Sequence, residues 1–335
     1  MVNEKIVILI PTLNEALHIE AMIQSLIEGD PLAQSALIIV ADGGSCDDTC
    51  AIVSKLVDEH PNIRLLHNAG KTQAAAMNIL LGPDYGQYTI AVRCDAHAKY
   101  PPNFVTQCAA SLTSRDVASV VVTMDAIATC DAGCFQQGLA WIADSRLGAG
   151  GSPHRGGSSS GFVDHGHHAA FRLDTFRSLR GYDRSFIANE DAEFDRRLTV
   201  AGHRIWLDAT IRIGYYPRAN AKALWRQYFR YGSGRAATCL KHRIRPNPRQ
   251  MVPFAHVILF MLGIAVLPFT LVGMIWPVAS GVLLICVSVW VATRHRSYCG
   301  FVAGFALAIM HTAWGLGFGW GLIKSVPQER IGAAI

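Results

Sequence analysis

Residues 88–97 read Tyr-Thr-Ile-Ala-Val-Arg-Cys-Asp-Ala-His, and this stretch decides how the rest of the chain is interpreted. It begins as a short apolar run typical of a β-strand and ends in Asp95 and His97. If the chain stays extended through Ala96, both side chains share one face. The stretch therefore predicts a strand that presents two metal ligands, for Mn²⁺ or Mg²⁺, with the imidazole favouring Mn²⁺. A strand-end turn with a solvated histidine is the alternative.

The composition indicates a soluble domain with a membrane tail. Hydrophobic residues make up 51% of the 335 residues, and the long apolar stretches lie in the last third. Nine cysteines include the spacings Cys46/Cys50 and Cys130/Cys134, which are typical of neighbouring helical turns, so we expect reduced thiols facing the cytosol. Residues 1–5 lead into a strand with no apolar segment as long as a signal peptide.

The first ninety residues alternate strands and helices, as in a parallel sheet. Ile6–Ile10 and Leu37–Val40 are continuous apolar runs, typical of strands buried on both faces. Arg64–His67 and Thr89–Val92 are predicted as the third and fourth strands, and Thr72–Leu81 as a helix. Ligands bind at the carboxyl ends of such strands. The pattern gathers four polar side chains there: Asn14, Asp42, Lys71 and Asp95.

The sequence lacks Gly-x-Gly-x-x-Gly after the first strand and lacks Gly-x₄-Gly-Lys-Ser/Thr, which disfavours a dinucleotide fold and a P-loop. It instead resembles the family-2 glycosyltransferases, whose GT-A fold is an α/β doubly wound mixed sheet. The motifs that carry the resemblance are Pro11-Thr12-Leu13-Asn14-Glu15, Asp42-Gly43-Gly44-Ser45-x-Asp47-x-Thr49, Lys71 with Asn78, and Asp95-x-His97.

The resemblance implies a nucleotide, usually UDP, at these strand ends, with a metal bridging its phosphates. The implied nucleotide-sugar residues are Pro11, Thr12, Asn14, Glu15, Asp42, Lys71, Asn78 and Asp95. The implied metal ligands are Asp95 and His97. The family usually carries Asp-x-Asp at this point, and we interpret His97 as a ligand swap.

The middle of the chain carries a glycine-rich loop and a histidine cluster. Val117–Thr123 is predicted as a strand and Phe135–Leu147 as a helix. Gly148–Gly161 is either a mobile lid or a disordered surface loop. In the following segment, His165 and His167 are candidate metal ligands, acceptor-binding groups or simply buried imidazoles.

An acidic cluster marks the start of the next helix, with Asn189 as its predicted N-cap. Crowded carboxylates raise a pKa, as a general base requires. The stretch matches the Glu-Asp motif of family-2 transferases, which implies that Asp191 is the catalytic base, with Glu190 beside the acceptor. We expect Glu193 and Asp195 to pair with the neighbouring arginines of the same helix, Arg196 and Arg197.

Gly202–Leu207 is predicted as a further strand, and a basic aromatic segment follows. Gln227-x-x-Arg230-Tyr231 resembles the Gln-x-x-Arg-Trp motif of the same family, which implies contact with the acceptor or a diphosphate. Residues 209–250 contain no Asp or Glu, and such a surface is typical of a helix lying on anionic lipid. Nucleic acid explains it less well, because apolar segments follow at once.

Three segments are long enough to cross a bilayer: Val252–Leu271, Pro277–Thr293 and Gly300–Ile323. Arg294-His295-Arg296 separates the last two. The positive-inside rule places this basic loop in the cytoplasm and the tail from Lys324 outside. A re-entrant pair in place of the first two spans is the alternative.

These observations predict a cytoplasmic catalytic domain (1–210), a basic interfacial segment (211–250) and a transmembrane region (251–335) in a bacterial inner membrane. Within the family, the chain looks most like glucosyltransferases of succinoglycan-type exopolysaccharide assembly. That implies a UDP-sugar donor, an acceptor sugar on polyprenyl diphosphate, inversion to a β-linkage and association with other polysaccharide assembly enzymes. A processive polysaccharide synthase and a non-catalytic nucleotide-binding scaffold are the alternatives.

Overall fold

The computed structural model describes residues 4–129 and 131–325. Predictions about the Cys130/Cys134 spacing and about the tail after residue 325 lie outside the described residues. The chain divides into two compact units, Met1–Asp125 with Pro153–Tyr215 and Ala126–Ser152 with Tyr216–Ile335. Ala126–Ser152 thus groups with the C-terminal helices, whereas the division at residues 210 and 250 stays a prediction.

Nine strands occur among the described residues. They are β1 (Ile6–Thr12), β2 (Leu37–Asp42), β3 (Ile63–His67), β4 (Ile90–Arg93), β5 (Ala98–Lys99), β6 (Ser119–Ala126), β7 (Gly161–Val163), β8 (His167–Arg172) and β9 (Ile205–Tyr215). They form one sheet in the order β3-β2-β1-β4-β8-β6-β9-β5, with β7 paired to β9.

The helices of the first unit connect these strands. They are α1 (Ile19–Glu28), α2 (Pro31–Ser35), α3 (Thr49–Glu59), α4 (Gln73–Met77), α5 (Phe104–Ser114), α8 (Leu173–Ser178) and α9 (Glu190–Val200). The second unit holds α6 (Cys134–Ala143), α7 (Arg146–Ala149), α10 (Ala221–Lys241), α11 (Pro248–Val266), α12 (Ile275–His295) and α13 (Val302–Ser325).

The sheet is parallel in its first half and antiparallel in its second. β1 pairs in parallel with β2 and β4, while β8 lies antiparallel between β4 and β6. Along β1, Ile8 and Ile10 pack in one core and Val7 and Leu9 in another. Successive side chains of a strand point to opposite faces, so burial on both faces explains the continuous apolar run. The predicted mixed α/β sheet is confirmed.

The strand that opens the sequence analysis ends earlier than predicted. β4 stops at Arg93, and Ala96 and His97 form a turn, because the chain reverses to pair Ala98 with Tyr215 of β9. The expectation that Asp95 and His97 share one face of an extended strand is therefore wrong.

The second half of the predicted lid or disordered loop is bonded to the sheet. Met124 N donates to His154 O at 2.9 Å, and Gly156 N donates to Met124 O at 3.0 Å. Arg212 Nη1 donates to Gly157 O at 2.7 Å. Residues 154–157 are thus ordered against β6 and β9, and disorder is the wrong alternative for them.

The cysteines differ from the expectation in two ways. Cys134 and Cys299 form a disulfide within the second unit, so the prediction that the cysteines are reduced is wrong for this pair. Cys50 lies in α3 but Cys46 precedes it, so this pair does not occupy neighbouring helical turns. Spacing could not show the disulfide, because its partners are 165 residues apart.

In the second unit, three of the described helical segments are long and apolar enough to cross a membrane by length and composition: Pro248–Val266, Leu271–His295 and Tyr298–Lys324. α13 also packs closely along α10. A Cβ atom at Gly232 of α10 would overlap Trp314 O, and one at Gly317 of α13 would overlap Phe229 O. Small residues allow such close backbone approach between apolar helices.

Gly317→Ala should therefore weaken the second unit. The added methyl group forces α13 away from the Phe229 carbonyl, at a cost of about 1–3 kcal/mol typical of overpacking. Thermal unfolding in detergent measures the effect. Gly281→Ala in α12 is the matched control, since a Cβ there meets no described atom within 4 Å. Equal unfolding temperatures for both variants would contradict the close packing of α10 and α13.

Candidate active site

The loops after β1 and β2 are bonded to each other at the carboxyl edge of the sheet. Thr12 and Asp42 are register partners at the two strand ends. Asn14, at φ 56°, donates its N–H to Ser45 Oγ at 2.8 Å, and its Oδ1 accepts from Cys46 N at 2.8 Å. The structure thus brings together five residues predicted to bind the nucleotide sugar: Pro11, Thr12, Asn14, Glu15 and Asp42.

Asp42 anchors this cluster with its carboxylate. It is buried, and it accepts hydrogen bonds from Ser45 Oγ at 2.5 Å and from Gly44 N at 2.8 Å. Burial raises the pKa of Asp42, but the hydrogen bonds from Ser45 and Gly44 outweigh it and lower the pKa below its ordinary value. A Cβ atom at Gly44 would lie 3.8 Å from Lys71 Cε, so the Lys71 side chain lies over this turn.

Asn78 occupies a different position from the other predicted nucleotide residues. Its side chain is buried, its Nδ2 donates to Tyr182 O at 2.7 Å, and its Oδ1 accepts from Tyr182 N at 2.8 Å. Both ends of the amide are thus engaged by one backbone position. We assign Asn78 to holding the loop that carries Tyr182.

Asp95 forms an ion pair with Arg93 at the end of β4. Arg93 Nε and Nη2 donate to Asp95 Oδ1 at 3.1 and 3.0 Å, and Asp95 N donates to Tyr100 Oη at 2.6 Å. Burial raises the pKa of Asp95, but the charge of Arg93, with His167 and His97, lowers it well below the usual range. Asp95 is therefore an ionised carboxylate at neutral pH.

His97 is turned toward the loop after β1. Its Nδ1 lies 2.7 Å from Glu15 Oε1, and its side chain is 37% exposed. This contact joins the β4 end to the β1 end. Asp95 and His97, the predicted metal ligands, therefore lie near the β1 end because the chain turns after β4, and not because they share one face of a strand.

The donor set fits a divalent cation. Asp95 offers an ionised oxygen and His97 an imidazole nitrogen, a combination compatible with Mn²⁺ or Mg²⁺. Within residues 4–129 and 131–325, no group of three or more His, Cys, Asp or Glu side chains is arranged to hold a metal ion. The protein would thus supply part of a coordination sphere, as at sites where substrate phosphates complete it.

Arg93 is a site residue that the sequence analysis missed. Its side chain is 5% exposed, and the Gln73 amide, with its oxygen facing the guanidinium, accepts from Arg93 Nη1 at 2.7 Å. Burial lowers the pKa of Arg93, but Asp95, Tyr182, Asp191 and Glu190 more than offset this and keep it charged. An arginine inside an apolar strand, two residues before an acid, was the available signal, because buried charges are almost always paired.

The acidic start of α9 contains two carboxyl groups in different environments. Glu190 is buried, whereas Asp191 is half-buried and its Oδ1 accepts from Ala192 N at 2.7 Å. Burial and the neighbouring charge of Asp191 raise the pKa of Glu190 to about 7, although Arg93 opposes the shift. Asn189 holds the N-cap position at φ 64°, in the left-handed region.

Of the two later acids on α9, Glu193 and Asp195, only one has the arginine partner that the sequence predicts. Glu193 pairs with Arg197 at 2.7 Å, as expected. Asp195 instead accepts from two histidines, with Oδ2 2.7 Å from His165 Nδ1 and Oδ1 2.5 Å from His168 Nε2. The prediction that Asp195 pairs with an arginine is wrong. Asp195 is fully buried, on the face of α9 that packs against residues 165–168, the histidine segment.

The histidine segment links the two acidic regions of the first unit. His167 Nε2 lies 3.6 Å from Asp95 Oδ2, and His165 contacts Asp195, four residues after Asp191 on α9. Burial lowers the pKa of His167 to about 3, so this imidazole is neutral. His165 is 37% exposed. The end of β4 and the start of α9 are therefore connected through residues 165–168.

The predicted residues of the second unit lie on one helix, α10. Gln227 Nε2 donates to Tyr231 Oη at 2.8 Å, and the rings of Tyr228 and Tyr231 are 5.6 Å apart. Arg230 is exposed. The assignment of Gln227, Arg230 and Tyr231 to the acceptor or a diphosphate stays a prediction.

Comparison with known proteins identifies the family. Residues 7–180 match the family described as "Glycosyl transferase family 2". The chain belongs to glycosyltransferase family 2. It is 40% identical over 324 residues to the succinoglycan biosynthesis protein ExoA of Rhizobium meliloti (strain 1021), covering 93% of each chain.

One more distant relative and one solved structure are also similar to this chain. A dolichyl N-acetyl-alpha-D-glucosaminyl phosphate 3-beta-D-2,3-diacetamido-2,3-dideoxy-beta-D-glucuronosyltransferase of Methanococcus voltae is 26% identical over 329 residues, covering 95% of this chain and 97% of the relative. Among solved structures, the mannosyltransferase PcManGT of Pyrobaculum calidifontis, in complex with GDP-Man and Mn²⁺, aligns with a TM-score of 0.60 and 17% identity, covering 92% of this chain and 86% of its own. That likeness supports the GT-A fold.

The acid pair on α9 should give this glycosyltransferase a pH-dependent stability. With the pKa of Glu190 raised from 4.5 to about 7, the folded state holds an extra proton between these values, so stability from this group is complete below pH 4.5 and is lost as the pH rises through about 7. Glu190→Gln is neutral at every pH. Thermal unfolding should show a higher Tm than the parent at pH 8 and an equal Tm near pH 4.5.

A second variant on the same helix should change the Tm at pH 8 in the opposite direction. Glu193→Gln removes the ion pair with Arg197 and should lower the Tm at pH 8, because the half-buried Arg197 loses its countercharge. A Tm at pH 8 that falls in Glu190→Gln as well would show that Glu190 is stabilised as a carboxylate and contradict its raised pKa.

Proposed function

We propose that this chain is a membrane-anchored inverting glycosyltransferase. It transfers a hexose, glucose in β-linkage, from a UDP-sugar to a sugar on polyprenyl diphosphate during succinoglycan-type exopolysaccharide biosynthesis. The glycosyltransferase activity follows from the family, and the name of the Rhizobium meliloti relative supports the pathway. The donor, acceptor and linkage are parts of this proposal.

The observation that carries the proposal is the link between two acidic regions. Asp95 lies beside His167, at the edge of the sheet where the β1 and β2 loops meet. His165 contacts Asp195, which follows Asp191 by about one turn of α9. A transferase needs an anion-compensating site for the leaving diphosphate and a base for the attacking hydroxyl. We assign the first task to a metal held by the Asp95 region and the second to Asp191, and both regions lie within the first unit.

The proposed reaction is one in-line displacement. Asp191 accepts the proton of the acceptor hydroxyl as that oxygen bonds to the anomeric carbon, and the electron pair of the broken bond leaves with UDP. A bound Mn²⁺ or Mg²⁺ would neutralise the charge on the diphosphate. The residues that would hold it are Asp95 and His97, and Arg93 keeps the Asp95 carboxylate ionised. A single base without a separate nucleophile gives inversion.

Other residues are proposed to bind substrates. The nucleotide sugar is assigned to the β1 and β2 loops and to Lys71. The acceptor is assigned to Glu190, His165 and His167, and the acceptor or its diphosphate to Gln227, Arg230 and Tyr231. His165 suits hydrogen bonding to a hydroxyl, because Asp195 fixes the ring through Nδ1. The complex of PcManGT with GDP-Man and Mn²⁺ supports a nucleotide-sugar donor and a divalent cation.

A transfer assay tests the function. Purified full-length protein in detergent is given UDP-glucose, polyprenyl-diphosphate-linked galactose and Mn²⁺, and the lipid product is identified. Addition of one β-linked glucose is expected. A polymer would indicate a processive synthase, and neither transfer nor UDP-sugar hydrolysis with any of several nucleotide sugars would indicate a non-catalytic scaffold.

We further propose that the chain lies in a bacterial inner membrane with the first unit in the cytoplasm. The basic Arg294-His295-Arg296 loop between the second and third apolar segments supports this orientation. A topology reporter fused after Arg296 should be cytoplasmic, and one fused at the C-terminus should be periplasmic. Cytoplasmic readings at both positions would show that the third segment does not cross the membrane and would contradict this topology.

A further inference from the structure

The second unit contains a pocket with apolar walls that the proposed reaction does not use. Its volume is about 510 Å³, and it lies where the end of α10, the start of α11 and the end of α13 meet. Leu240, Phe254, Phe318 and Leu322 contribute apolar wall surface. Phe254 and Phe318 pack edge to face, with ring centroids 5.4 Å apart. Two of the three helices that form this pocket are candidate membrane spans.

The same pocket is lined by two arginines. Arg243 and Arg245 lie on the loop between α10 and α11, and both are exposed. The lining residues, all within the described range, include no Asp or Glu that could neutralise them. A pocket with apolar walls and positive charge complements an amphiphile with an acidic headgroup.

Hydrogen bonds hold the arginine loop in place. Gln250 Oε1 accepts from Arg235 Nε and from Asn247 N, both at 3.1 Å, which ties the start of α11 to α10. Ile244 N donates to Cys239 O at 3.0 Å. The backbone that carries both arginines is therefore held on each side of the loop.

We propose that this pocket binds one anionic bilayer phospholipid. The phosphate accepts hydrogen bonds from Arg243 and Arg245, since guanidinium groups donate in pairs to phosphate oxygens. An acyl chain lies along Phe254, Phe318 and Leu322. A soluble phosphate has no acyl chain to contact the apolar walls, so they would add nothing to its affinity. A lipid with a neutral headgroup would bind the arginine pair more weakly.

Direct binding to the full-length protein in detergent tests the proposal without reference to transfer activity. Fluorescent phosphatidylglycerol should bind at one molecule per chain and at least tenfold more tightly than phosphatidylcholine. Glycerol 3-phosphate should not displace it. The double variant Arg243→Ala/Arg245→Ala should weaken binding at least tenfold. Leu322→Trp should weaken it as well, because the larger side chain occupies the pocket while both arginines remain.

The matched control removes the same charge elsewhere on α10. Lys222→Ala/Arg226→Ala alters two exposed cations near the start of the helix that do not line the pocket, and binding should stay within twofold of the parent. Equal losses in both double variants would show general charge attraction and overturn the site. Displacement by glycerol 3-phosphate, or binding of polyprenyl phosphate without phosphatidylglycerol, would assign the pocket to another ligand and overturn the proposal.

Discussion

Asp191→Asn should lower kcat by on the order of 10³-fold, while the affinity for the UDP-sugar donor stays within about twofold. The acceptor hydroxyl has a pKa far too high to attack unaided, so a carboxylate must take its proton during bond formation. That interaction belongs to the transition state, and its loss therefore reduces turnover rather than donor binding. Asp191 suits this role because it is half-buried at the start of α9, beside the buried Glu190.

The measurement is steady-state transfer to the lipid acceptor together with UDP binding by calorimetry. Asp58→Asn is the matched control, because Asp58 is an exposed aspartate on α3, outside the proposed site. It should leave both quantities unchanged. Retained turnover in Asp191→Asn, or an α-linked product from a UDP-α-sugar, would show that the base is assigned wrongly or that two displacements occur.

Asp95→Ala and His97→Ala should each abolish metal-dependent UDP binding. Both side chains lie where the β1 and β4 ends meet, and they are the two protein ligands proposed for the metal. EDTA should have the same effect on the parent. His97→Asp should keep activity and shift the preference from Mn²⁺ toward Mg²⁺, because it replaces an imidazole nitrogen by a carboxylate oxygen.

The two variants differ in their structural cost. Asp95→Ala also leaves the buried Arg93 without its carboxylate, so its thermal stability must be measured alongside binding. His97→Ala leaves the ion pair of Arg93 with Asp95 intact and removes only the contact with Glu15 alongside the proposed metal ligand. His203→Ala, at an exposed histidine after α9, is the control and should bind UDP normally. Full activity of His97→Ala in EDTA would remove the metal from the mechanism.

The sequence by itself determined the parallel half of the sheet and the residues at its edge. Strand neighbours point to opposite faces, so a run buried on both faces must be continuously apolar, as in β1. Parallel strands end at one edge of the sheet, so the sequence alone predicts that Asn14 and Asp42 lie close together. The three apolar segments followed from length and hydropathy alone, which are local properties of the chain.

Only the tertiary structure decided which side chains became partners. An aspartate followed by two arginines is locally compatible with a surface ion pair, yet Asp195 pairs with His165 and His168, which are 30 and 27 residues away. Glu15 and His97 are separated by 82 residues. A local pattern fixes the face on which a side chain lies, but the group opposite that face depends on how elements pack. For the same reason Arg93 was overlooked: its role requires Asp95, Gln73 and the acids of α9 to surround one buried charge.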